Sequence, residues 1–118
     1  MTQEECLKQI EQIEKDYRIA RNEVETKYHQ DSDDVLNAWA NDNSKYQIGD
    51  IIEANGIIIV IENILGNMYK FGSISMIYCI YKGHALTKHL QPRKDEWVTT
   101  IHDDGSREIK LLRKAKVD

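Results

Sequence analysis

The chain has 118 residues, 41% of them hydrophobic, and a formal net charge of -4. That is one domain's worth of material, able to hold a modest core if most apolar residues share it. No run approaches the roughly 18 apolar residues of a membrane span, so no membrane partner is expected.

The charge is unevenly placed. Residues 1–45 carry 6 Lys/Arg against 11 Asp/Glu, net -5, and residues 46–118 carry 10 against 9, net +1. Cys6 and Cys79 lie 73 positions apart with no secretory apolar stretch at the amino end. The expectation is an unexported protein in a reducing cytoplasm, without a disulfide framework.

Thr2 followed by Glu5 has the form of a capping box that starts a helix. Cys6, Ile10, Ile13, Tyr17, Ala20 and Val24 then recur in steps of 4, 3, 4, 3 and 4, a seam at heptad spacing. Its flanks place Glu4 before Lys8, Glu11 before Lys15, Glu14 before Arg18 and Glu23 before Lys27, the better orientation for i,i+4 pairs. The pattern weakens through residues 29–34 and resumes at Val35, Leu36 and Trp39. Ser32 offers a cap for a second helix, but no Gly or Pro interrupts the run, which favours one helix to about Asn41, roughly 60 Å long. A helix of that length exceeds a barrel about 25 Å across, so its free part is expected to self-associate through the seam. Asn41, Asp42, Asn43 and Ser44 should stop it through side chains that compete for backbone bonds, with Trp39 plugging the base of the following domain.

Residues 45–118 form the second predicted domain, after the helical and oligomerising segment 1–44. Gly49-Asp50 ends a turn, and Asn55-Gly56 marks a two-residue hairpin. Ile57–Ile61 is apolar at every position, so both of its faces want cover. Gly66-Asn67 and Gly72 read as punctuation around a loop or short strand at 68–71. The next run sets Ile74, Met76, Tyr78 and Ile80 on one side and Ile77, Cys79 and Tyr81 on the other, again asking for cover on both. Lys82-Gly83 reads as a turn, and residues 96–101 and 107–112 as a hairpin around Asp104-Gly105. The whole is α+β: a long N-terminal helix with a coiled-coil seam, then a small SH3-like antiparallel barrel of five or six strands.

This order, with the junction segment Lys45-Tyr46-Gln47-Ile48-Gly49-Asp50-Ile51-Ile52, resembles small uncharacterised accessory proteins of bacteriophages and mobile elements from gut bacteria. The resemblance implies virion, accessory or counter-defence roles, and no activity that can be carried onto residues here.

Signals for chemistry are sparse. Cys79, His84 and His89 are zinc-ligand types, but paired Cys-x-x-Cys spacing and a fourth ligand are missing, so no metal is expected. Cys79 among isoleucines reads as core. Asp31, Asp33 and Asp34 lack the Gly and Glu of a calcium loop. His102-Asp103-Asp104-Gly105-Ser106 reads as a turn rather than a triad. No P-loop, dinucleotide fingerprint or nucleophile elbow occurs, so neither enzyme nor cofactor is expected. From Asn63 to Lys94 there is no acid, while Lys70, Lys82, Lys88, Arg93 and Lys94 sit among His84, His89 and several aromatics. That segment, 69–94, is the basis of an alternative: a nucleotide- or nucleic-acid-binding module. The primary expectation is a non-enzymatic oligomer that binds itself and another protein.

Overall fold

The computed structural model describes residues 1–116. Helix α1, Gln3–Asn43, runs without interruption. Its capping box forms as the sequence predicts: the Thr2 amide donates to Glu5 Oε2 at 3.3 Å, and the Glu5 amide to Thr2 Oγ1 at 3.1 Å. Of the four predicted flank pairs, Glu4–Lys8 meets at 3.8 Å, and an unpredicted one, Arg21–Glu25, meets at 3.1 Å. The asparagines end the helix by turning back on it: Asn41 Nδ2 donates to the Asn37 carbonyl and Asn43 Nδ2 to that of Trp39.

By compactness the chain divides after Ser32. The residues from Asp33 onward combine the last helical turns with two three-stranded antiparallel sheets, neither of them closed. Strands β1 (Ile51–Ala54), β2 (Ile57–Val60), β3 (Asn63–Phe71), β4 (Ile74–His84), β5 (Val98–Asp103) and β6 (Lys110–Arg113) are ordered β2-β1-β6 and β3-β4-β5. Asn55 and Gly56 take φ of 51° and 82°, the doubly positive pair that a type I′ hairpin between β1 and β2 requires. The core lies between the sheets and the end of the helix, where Ala40, Ile52, Ile59, Ile61, Tyr81 and Ile101 are buried. Trp39 packs against this cluster only half-buried, and the residue that closes the core is its neighbour Ala40.

Asp50 ties the sequence-distant parts together. It is 2% exposed, and its Oδ2 accepts the Gln47 amide at 2.9 Å while Oδ1 accepts the Ala115 amide at 2.7 Å. Its backbone carbonyl takes the Ile61 amide at 2.9 Å. One residue thus fixes the turn into β1, the end of β2 and the chain beyond β6.

Three sequence readings need correction. Gly66-Asn67 is no turn but lies inside β3, where a Cβ at Gly66 would collide with the Leu36 carbonyl oxygen. The glycine lets the helix lie directly on the strand. Asn37 Oδ1 accepts the Gly66 amide at 2.9 Å, and Asn41 Nδ2 donates to the Ile64 carbonyl at 3.1 Å, so two helix side chains do for the β3 edge what another strand would do. Gly83 likewise sits within β4, because a Cβ there would strike the Val60 carbonyl where the two sheets meet. Finally, β5 and β6 flank Asp104-Gly105 without pairing; β5 joins β4 and β6 joins β1. The turn carries the chain from one sheet to the other, and the Asp104 carboxylate accepts the Ser106 amide at 3.0 Å within it.

Two outcomes follow for stability. Asp50→Ala takes away the acceptor of the half-buried Ala115 and the exposed Gln47 amides, and should lower the free energy of unfolding by about 1–3 kcal/mol in urea titration. A loss under about 1 kcal/mol would contradict the role given to this carboxylate. Gly66→Ala should cost about 2 kcal/mol or more, because its methyl group meets backbone rather than a movable side chain; an unchanged urea midpoint would show that the helix does not press on β3.

Candidate functional site

The seam residues Cys6, Ile10, Ile13, Tyr17, Ala20 and Val24 are all exposed, with Ile13, Tyr17 and Val24 at 66%, 67% and 69%. The helix continues past Val24, but the next steps of three and four fall on Lys27 and Asp31, so the apolar spacing ends at Val24, with an exposed Tyr28 four residues beyond it. The heptad steps therefore place a line of apolar and small groups along one stripe of the unit Met1–Ser32.

The basic residues do not gather at one place. Lys70 lies opposite Ser75 on the β3–β4 hairpin, seven positions along β4 from Lys82, or about 23 Å of strand. Lys88, His89, Arg93 and Lys94 belong to the connection between β4 and β5, which folds into consecutive turns held by the Leu86–Pro92 bridge and the Thr87 amide on the Gln91 carbonyl. All seven residues Lys70, Lys82, His84, Lys88, His89, Arg93 and Lys94 are exposed. Two of them already have acidic partners. Arg93 grips Asp95 through both carboxylate oxygens, at 3.1 and 2.9 Å, and its guanidinium lies 5.4 Å from the Trp97 ring centre. His84 Nδ1 meets the Glu62 carboxylate, which also accepts the His84 amide at 3.3 Å.

Cys79 is buried as the sequence predicts; its thiol lies 3.8 Å from the Ala40 carbonyl and burial pushes it above its ordinary pKa, away from thiolate chemistry. It faces the core, whereas His84 points outward, so these two predicted ligand types diverge. Among the described residues no three His, Cys, Asp or Glu side chains come together as a metal cluster. The Tyr81 phenol is buried with its hydroxyl unpartnered and its pKa raised, chiefly by desolvation. The Tyr46 ring packs edge-on at 5.4 Å between centres.

The feature that sequence reading missed is the outer half of the β3–β4 hairpin. Their register runs unbroken from Asn63↔Lys82 to Phe71↔Ile74, but β5 covers β4 only from Cys79 to His84. Beyond that point a two-stranded ribbon continues alone. Tyr69, Phe71, Ile74 and Met76 on one face, and Met68 and Ile77 on the other, are exposed. The apolar character of 74–81 was visible in the sequence, and so was its demand for cover on both faces. The inner part meets that demand, since Cys79 and Tyr81 are buried, and the outer part does not. A misread Gly66 concealed that the preceding strand is long enough to make the ribbon.

No family model matches the chain, and neither does any curated protein or solved structure. No helix among the described residues is long and apolar enough to cross a membrane.

The Glu62–His84 contact yields a pH dependence. The hydrogen bond from His84 holds the Glu62 carboxyl below its ordinary value of 4.5. A carboxyl lowered by folding contributes stability above its unfolded value and loses it as pH falls through the folded one. Glu62→Gln should therefore be less stable than the native chain at pH 7, by no more than about 0.5 kcal/mol because both groups face solvent. The difference should shrink as pH falls below 4.5 and close once it has passed through the lowered folded value. Urea midpoints at pH 7 and below that folded value check this, and an equal deficit at both would contradict it.

Proposed function

We propose that this is a non-enzymatic assembly protein that joins copies of itself through its helix and binds another protein through its sheet domain. It is the kind of accessory component of a phage or mobile element that its layout resembles, acting in the bacterial cytoplasm or in a virion. In this reading the two open sheets form a small SH3-like barrel. The Ile59–Ala85 bridge and the Glu62 amide on the Lys82 carbonyl, at 2.9 Å, which join one sheet to the other, support that description.

The observation that carries the proposal is the exposed seam. Most helical stability in proteins comes from burying an apolar face, and within one copy residues 3–31 are all exposed. Each Ile, Tyr or Val removed from water contributes on the order of 1–3 kcal/mol. Six residues at heptad spacing give a second copy a matching stripe, and the steps of four and three keep both stripes in register. The basic segment supports the nucleic-acid alternative less well, because its groups are spread over the hairpin, the end of β4 and the turns that follow, with Arg93 and His84 already engaged.

Ile13→Asp combined with Tyr17→Asp tests the seam directly. Sedimentation should show a lower mass, and circular dichroism should show helix loss on a scale matching residues 3–32 while the sheet domain persists. Retention of the native mass would refute assembly through the seam.

A further inference from the structure

We infer that the outer β3–β4 ribbon is a second self-association surface, whose occupant is the same ribbon of another copy of this chain. The inference rests on the self-association reading but uses a different surface from the helix seam. The ribbon comprises five cross-strand pairs, from Asn67↔Tyr78 to Phe71↔Ile74. A two-stranded hairpin standing alone is marginal in water, and three strands or a packed face are needed to hold it. Here the third strand stops short, at Cys79↔Asp103, and the helix side chains reach the edge of β3 only at Ile64 and Gly66.

Size and charge point to an identical partner. Phe71 and Ile74 at 71% and 69% exposure, Tyr69 at 55%, and Met76, Ile77 and Met68 at about 40% leave much apolar surface free. The four that share one face, Tyr69, Phe71, Ile74 and Met76, amount to on the order of 500 Å² per copy, the size of a weak, concentration-dependent contact rather than the roughly 800 Å² of a standard interface. Between Asn67 and Tyr78 the only charged residue is Lys70, so two copies can meet about a twofold axis with almost no like-charge cost. A lipid surface would suit the apolar side chains but not the strand edges, whose outward N–H and C=O groups find no partners in hydrocarbon. A second ribbon offers both an apolar face and a row of complementary backbone groups. Lys70, which points to the same side as Met68, stays at the margin of such a contact.

The test uses the full chain. Amide hydrogen exchange of the native protein is followed between about 2 and 200 µM, where a self-contact must strengthen by mass action. Exchange across Met68–Ile77 should slow by roughly tenfold at the higher concentration. This needs no variant to fold. In parallel, Phe71→Ser with Ile74→Thr should lower the sedimenting mass, whether or not Ile13→Asp with Tyr17→Asp also does. A mass reduced by the ribbon variant alone would uphold the ribbon and sink the seam. A mass reduced by the seam variant alone, with exchange at Met68–Ile77 independent of concentration, would sink the ribbon and uphold the seam. A native chain that stays monomeric while its ribbon becomes protected on phosphatidylglycerol vesicles would overturn the proposal in favour of lipid.

Discussion

The sheet domain is tied together by a buried carboxylate. Asp50 lies at the mouth of β1, and its two oxygens and its carbonyl each receive a backbone amide from a different part of the chain. Burying a charge is unfavourable unless hydrogen bonds replace its water, and here they come from groups that would otherwise be left unpaired at the start of one strand and after another. The neighbouring apolar residues can therefore pack without flexible ends competing for the same space. Ile51 and Ile52, immediately after Asp50, are both buried.

A second constraint acts at the helix. The Leu36 backbone lies against Gly66, and Asn37 and Asn41, one turn apart, supply an acceptor and a donor to the β3 edge. An exposed strand edge invites pairing with other chains, and this one is closed by side-chain amides over a short stretch. The closure ends at Gly66 while β3 goes on to Phe71. The same domain thus protects one part of its edge and leaves the next free, and the free part is where the apolar side chains concentrate.

Much of this was legible in sequence. The capping box, the single helix and the Asn55-Gly56 hairpin follow from local chemistry, and each formed where its residues stand. The errors concern glycines and topology. Gly66 and Gly83 looked like turns because glycine commonly marks turns, yet each is needed where another backbone crosses its strand, and only tertiary structure reveals that neighbour. The Asp104-Gly105 turn was placed correctly, but nothing local says whether the strands on either side pair with each other or enter different sheets. For the candidate surfaces, heptad spacing made the helix stripe visible. The ribbon stayed hidden because its exposure depends on where β5 ends.

Self-assembly is the central claim, and sedimentation velocity of the native full chain over a wide concentration range tests it most directly. An assembling chain should show a mass at least twice that of one chain at the upper end, shifting toward the monomer on dilution. A single species of monomer mass at every concentration would contradict it and would leave the exposed helix stripe to a different kind of partner.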